Sequence, residues 1–303
     1  MIQSRKLSNY MKIKYMLLWV SVLGLFSTAH AEIEFTEDLV YAKYGDRELT
    51  LDLYKPKGSK ELLPAIVCVH GGGWRTGTKE NFGRFARALA AENYITISIN
   101  YRLSEEAPFP VHIMDCKAAV RWLRANAEKY GVDPDRIGAT GHSAGGHLVA
   151  LLATSAGVEA LEGDGGNAAF SSAIQAAVPM GAQSDLETDR IRSMTAQSGA
   201  DIWHMFLNGP LADNLELYQL ASPRRHLDPS DPPMMFITGG KDNLDTHAEP
   251  IRGDMSRMDI ASGLLIIPDA PHGFLSQKGE KWWSEIAVST ATHFFDSILK
   301  DAK

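Results

Sequence analysis

Ser143 lies in Gly141-His142-Ser143-Ala144-Gly145, between the strand-like run Asp135-Arg136-Ile137-Gly138-Ala139-Thr140 and the apolar helical run Gly146-His147-Leu148-Val149-Ala150-Leu151-Leu152. A serine on so sharp a strand-to-helix turn takes a strained backbone, and its neighbours two positions away must be small to avoid collision. Its hydroxyl then projects from the end of a sheet, at a helix amino end that favours developing negative charge. Upstream, the apolar run Leu62-Leu63-Pro64-Ala65-Ile66-Val67-Cys68-Val69 ends in His70-Gly71-Gly72-Gly73-Trp74. Glycines in series let the backbone turn N–H groups inward, the arrangement that stabilises an oxyanion during ester or amide cleavage. The expected donors are the N–H groups of Gly71 or Gly72 and of Ala144.

A serine hydroxyl is a weak nucleophile until an imidazole takes its proton and a carboxylate fixes that imidazole. Two acids, Asp242 and Asp245, stand just beyond the apolar run Met234-Met235-Phe236-Ile237-Thr238. His272 stands in Asp269-Ala270-Pro271-His272-Gly273-Phe274, just beyond Leu264-Leu265-Ile266-Ile267. The other histidines have plainer expectations. His70 shapes the glycine loop, His142 and His147 flank the serine, and His204, His226, His247 and His293 are exposed or packed. Trp74 either lines a substrate pocket or packs against the helix near Phe82. Ile202-Trp203-His204-Met205-Phe206-Leu207 forms either a hydrophobic lid or local core. Arg102 and Asp115 read as a structural ion pair, and Tyr101 as a loop anchor.

These residues need a scaffold, and the hydrophobic pattern supplies one. Glu48-Leu49-Thr50-Leu51-Asp52-Leu53-Tyr54 alternates apolar and polar, as an edge strand with one wet face does, and pairs as a hairpin with residues 40–44 across Gly45-Asp46. Buried strands follow at Ala65, at Ile95-Thr96-Ile97-Ser98-Ile99, before Ser143, at Ile174-Gln175-Ala176-Ala177-Val178-Pro179, and in the two late runs. Helices are expected over 83–92, from Pro110 to Gly131 with Ala119, Trp122, Leu123, Ala127 and Tyr130 on one face, over 248–258, and over 281–299. Asp133-Pro134 should turn the chain into the nucleophile strand. Strands alternating with helices on this scale mean a mostly parallel, three-layer α/β sheet with an antiparallel amino-terminal edge. Between 184 and 232 periodicity is weak, so short helices are expected over the carboxyl end of the sheet, where open α/β sheets bind ligands.

Taken in order, His70-Gly71-Gly72-Gly73-Trp74, Asn100-Tyr101-Arg102-Leu103, Asp133-Pro134-Asp135-Arg136-Ile137, Gly141-His142-Ser143-Ala144-Gly145-Gly146 and Pro271-His272-Gly273-Phe274 carry a resemblance. The chain resembles the α/β-hydrolase esterases of the hormone-sensitive-lipase-like group, and more narrowly the bacterial feruloyl/acetyl esterase-like branch (BD-FAE), from residue 41 onward. The resemblance implies an α/β-hydrolase domain over 32–303 with a lid or cap at 184–232. It also implies a serine carboxylesterase relay of Ser143, Asp242 and His272, with Gly71, Gly72 and Ala144 at the oxyanion and Trp74 at the substrate. Asp242 lies where the family places its acid. The Val-Pro pair common just after that acid is replaced by Asp245-Thr246, which keeps Asp245 in play. No metal or organic cofactor is implied. The implied substrate is a short-chain or aromatic acyl ester, small or polysaccharide-linked, with acetyl and feruloyl esters foremost. An arylformamidase or small-peptide hydrolase uses the same relay, and a non-catalytic binding relative uses the same fold.

Residues 1–31 read as a signal peptide. Lys12 and Lys14 precede Met16-Leu17-Leu18-Trp19-Val20-Ser21-Val22-Leu23-Gly24-Leu25-Phe26, and Ala29-His30-Ala31 gives a small-x-small cleavage pattern, with the cut after Ala31. Met11 begins a compact basic start of its own, and the alternative is a retained anchor. The apolar core falls short of the ~20 residues of a membrane span, so an exported product, periplasmic or secreted, is expected to keep no span. Without Arg5, Lys6, Lys12 and Lys14 the formal charge falls from −7 to about −11. So acidic a chain is a poor partner for nucleic acid, whose binding relies on basic patches. The two cysteines, Cys68 and Cys116, read as small core hydrophobes, and no cysteine or histidine group has zinc-site spacing.

Overall fold

The computed structural model describes residues 32–197, 199, 201–244, 248–276 and 281–300. The expected signal peptide, Asp245, Thr246 and His247 lie outside the described residues. Eight strands form one sheet: β1 (Ile33–Tyr44), β2 (Arg47–Pro56), β3 (Leu63–Val69), β4 (Ile95–Ile99), β5 (Val132–His142), β6 (Ala176–Met180), β7 (Met234–Gly239) and β8 (Ser262–Ile267). Their spatial order is β1-β2-β4-β3-β5-β6-β7-β8. Strands β1, β2 and β4 pair antiparallel, and every pairing from β4 to β8 is parallel.

The continuous apolar run of β3 is explained by burial on both faces. Ala65, Val67 and Val69 enter one core, while Ile66 and Cys68 enter the other. The first core holds residues of α2 (Val111–Ala125), α4 (Ala144–Thr154) and α9 (Glu249–Arg257); the second holds residues of α1 (Glu80–Ala91) and α10 (Lys281–Phe295). Three layers result, helix–sheet–helix, as alternating strands and helices require. Cys68 and Cys116 are buried thiols.

Two local expectations change. The helix opened near Pro110 does not run unbroken to Gly131: it stops at Ala125, and a separate turn, α3 (Ala127–Tyr130), follows. At this point the Asn126 side-chain amide and its own N–H share the Trp122 carbonyl, at 2.9 and 3.0 Å, a local side-chain bond of the kind that marks helix ends. Gly131 still ends the segment, in the left-handed region at φ 77°. Asp133-Pro134 lies inside β5 rather than before it. Leu63 of β3 faces Val132 but Ala65 already faces Ile137, so the expected turn survives as a bulge within the strand.

Residues 184–232 carry α6 (Asp189–Thr195), α7 (Asp201–Leu207), α8 (Leu215–Leu220) and a 3₁₀ turn (Pro223–His226), after α5 (Glu159–Glu162). Trp203, Phe206, Leu207, Leu211 and Tyr218 are all buried in the first core. No helix among the described residues is long and apolar enough to cross a membrane.

Candidate active site

Four loops meet at one rim because each leaves the carboxyl end of a parallel strand. Loop residues His70 to Trp74 follow β3, Ser143 follows β5, Asp242 follows β7 and His272 follows β8. The Ser143 hydroxyl donates to His272 Nε2 at 2.7 Å, and His272 Nδ1–H donates to Asp242 Oδ2 at 2.6 Å. Asp242 is largely buried while the imidazole is 43% exposed, so the base can be reached from outside. This is the geometry in which a serine alcohol becomes a nucleophile.

Ser143 has φ 58° and ψ −121°, a conformation that costs a non-glycine residue about 1–3 kcal/mol. The surroundings hold it there: Ser143 N–H donates to the Met180 carbonyl at 2.8 Å, and His147 N–H donates to the Ser143 carbonyl at 2.9 Å. Small neighbours are obligatory. A Cβ on Gly145 would stand 2.1 Å from the Val69 carbonyl oxygen, and one on Gly71 would stand 2.7 Å from the His142 carbonyl oxygen and 3.2 Å from Ser143 Cβ. The glycine loop therefore lies against the nucleophile. Ala144 is the first residue of α4, so its N–H has no acceptor within that helix.

The Asn100-Tyr101-Arg102 motif proves to be the scaffold of that loop. Asn100 Oδ1 accepts the Lys79 N–H, the Tyr101 hydroxyl donates to the His70 carbonyl at 3.1 Å, and Arg102 pairs with the fully buried Asp115 at 2.8 Å. His70 stacks on Tyr101 and donates from Nδ1 to the Gly71 carbonyl at 2.8 Å. His142 donates from Nε2 to the His272 carbonyl at 2.7 Å and so holds the base's own loop. Gly181 lies beneath the relay without any sequence signal of its own. A Cβ there would lie 3.4 Å from Asp242 Oδ2, His142 Nε2 and His272 Cε1, so the relay sits directly over it. Nothing in a single Met-Gly-Ala stretch advertises that role.

Trp74 does not pack near Phe82. Its indole stacks on Phe206 at 4.2 Å and lies 5.1 Å from Trp203, because α7 folds over the loop. With 2% of its surface exposed it supports the glycine loop from beneath rather than walling an open pocket. Within the same segment Ile202 behaves differently. It is 40% exposed and lies 3.5 Å from where a Gly73 Cβ would stand, offering apolar surface beside the loop. The segment holding Trp203 and Phe206 is thus local core, with Ile202 as its outward face.

Burial lowers three imidazoles around this site: His70 and His147 to about 4 and His112 to about 3. All three are neutral in the folded protein near neutral pH and have ordinary values, ~6.5, when unfolded. The unfolded chain therefore binds more protons between those limits, and stability should fall as pH drops from about 6.5 towards 4. Burial pushes Asp231 up to about 6 and raises Asp115, which works the other way, while it lowers His226, which works with the three. The urea midpoint should decrease measurably between pH 7 and 5. An unchanged midpoint would mean that these imidazoles take up protons without unfolding.

Residues 51–249 match the family profile described as BD-FAE. Esterase LipQ of Mycobacterium tuberculosis is 31% identical over 79% of this chain and 57% of that protein. A thermophilic esterase of Thermogutta terrifontis, Est2 with propionate bound, superposes with a TM-score of 0.70 at 27% identity, covering 89% of this chain and 95% of that one. A bifunctional GH43-CE protein of Bacteroides eggerthii superposes with a TM-score of 0.76 at 29% identity, covering 87% of this chain and 35% of that one. The chain spans 48–58% of the length of the first three curated relatives it matches.

Proposed function

The chain belongs to the BD-FAE family, within the α/β-hydrolase fold, and from that premise we propose that it is a serine carboxylesterase. The observation that carries this reading is the continuous relay at 2.7 and 2.6 Å from Ser143 through His272 to Asp242. Ser143 Oγ attacks the acyl carbon as His272 Nε2 takes its proton. Asp242 holds Nδ1–H and steadies the imidazolium. The N–H groups of Gly71, Gly72 and Ala144 face the oxyanion that forms. The imidazolium then protonates the departing alcohol, and His272 activates water to release the acid from the acyl-enzyme.

The substrate we propose is a short-chain or aromatic acyl ester, with acetyl or feruloyl esters of a polysaccharide as its natural form. The likeness to LipQ supports the ester bond, and the likeness to one part of a bifunctional GH43-CE protein supports the polymer. The basic, apolar and small-x-small pattern of residues 1–31 supports export to the periplasm or beyond, where such polymers are met. Residues 184–232 would form a fixed cap over the site, with Ile202 beside the acyl or alcohol group.

Three measurements test the reading together. Fluorophosphonate should label Ser143 in the folded protein, and p-nitrophenyl acetate, propionate and butyrate should turn over faster than N-formyl or peptide substrates. Acetylated xylan should release acetate. Faster amide cleavage would replace the esterase with an amidohydrolase, and a folded but unlabelled Ser143 would leave only a binding protein.

A further inference from the structure

His147 stands one helical turn beyond Ser143, and its side chain joins three separate elements. Its Nδ1 accepts the indole N–H of Trp74 at 3.2 Å, across 73 residues of sequence. Its Nε2–H donates to the Ala221 carbonyl at 2.8 Å, at the end of α8. Its ring meets Trp74 edge-on at 5.3 Å and Phe206 at 5.7 Å. The imidazole has no exposed surface and is held neutral by burial. One tautomer, with hydrogen on Nε2 and none on Nδ1, satisfies both partners.

Trp74 is the residue at which the glycine loop ends, and it carries φ 57°, an unfavourable value for an aromatic residue. It follows Gly72 at φ 123° and Gly73 at φ 61°. A loop with three successive left-handed residues keeps its shape only if something outside it fixes its end. Three groups are in place to do so: Phe206 stacked on the indole, Ser104 donating its N–H to the Trp74 carbonyl at 2.9 Å, and His147 accepting from the indole nitrogen. Of these, only His147 belongs to the nucleophile helix. Its own N–H also donates to the Ser143 carbonyl.

We propose that His147 is a positioning residue that locks the oxyanion loop to the nucleophile turn through the Trp74 indole N–H. The inference rests on the oxyanion role proposed above for Gly71 and Gly72. Loss of the lock lets the loop shift against Ser143, so the donors miss the oxyanion that they should meet. The cost falls on the transition state and not on substrate binding.

The test uses three single variants and one double variant, each assayed as kcat per fluorophosphonate-titrated site on p-nitrophenyl acetate. His147→Leu and Trp74→Phe, the second of which keeps a ring for Phe206, should each lower kcat about tenfold with KM within about twofold. His147→Asn presents an amide oxygen near the Nδ1 position and should recover most of the loss, although it gives up Ala221. The Leu/Phe double variant should be no worse than either single one, since both break the same bond. Full kcat in either single variant, additive losses, or an asparagine variant as slow as the leucine variant would overturn the proposal. Should His147→Leu fail to fold, Trp74→Phe against His147→Asn carries the comparison. A wild-type protein inert to every ester would instead remove the function on which this inference rests.

Discussion

Asp242→Asn should lower kcat by about 10⁴-fold without unfolding the protein. The local bonds explain why so small a change matters. Asp242 Oδ1 accepts the Asn243 N–H at 2.9 Å, while Oδ2 accepts His272 Nδ1–H at 2.6 Å. An asparagine here keeps its carbonyl oxygen on Asn243, because turning the amide over would point its NH₂ at that N–H. The NH₂ group then faces His272 and demands a bare Nδ1, which moves the ring proton to Nε2. Nε2 can no longer accept from Ser143. Steady-state turnover of p-nitrophenyl acetate, with circular dichroism as the control, checks the expectation. A loss below about tenfold would shift the acid's role to Asp245.

Gly145→Ala should be strongly destabilising. Its Cβ would lie 2.1 Å from the Val69 carbonyl oxygen and 2.5 Å from that of His70, both rigid backbone atoms at the end of a central strand. No rotamer relieves the contact, so the nucleophile turn or β3 must move. The expected cost exceeds ~4 kcal/mol, against a total stability of ~5–15 kcal/mol for an ordinary domain. The variant should appear as insoluble protein, or as a folded fraction with a strongly lowered urea midpoint. A midpoint within the error of wild type would mean that the turn can move to admit the methyl group.

The chemistry of the site was legible because it constrains its own neighbours. Ser143 demands small residues around it, and His272 follows a clear buried strand, so both could be singled out without a fold. Asp242 could not be chosen over Asp245 on residues alone. Both follow the same strand, and loop register decides which carboxylate meets the imidazole. The resemblance pointed to Asp242, the acid the structure brings to His272. The sheet was legible for a related reason, since β3 and β7 are buried runs. β2 alternates in sequence but is not the expected edge: β1 covers that side, and Asp52 is buried against Lys79 at 2.7 Å, so the wet face foreseen for β2 is missing. The break at Asn126 and the bulge after Val132 were not legible, since each turns on one hydrogen bond or one offset pairing. Trp74 illustrates the larger gap. Its neighbours Trp203 and Phe206 come from a segment of weak periodicity more than a hundred positions away, and no local pattern specifies that meeting.

The placement of the relay on separate strand ends ties its assembly to completion of the sheet. Ser143 and His272 are 129 residues apart, and they become neighbours only when β5 and β8 are both in register with the strands between them. Strand β8 is the sheet's far edge, so the imidazole takes its place only after β6 and β7 have docked. A nascent or incompletely folded chain therefore carries an ordinary alcohol at Ser143, with no more reactivity than any surface serine. Assembly of the sheet is itself the step that brings this alcohol and this imidazole together.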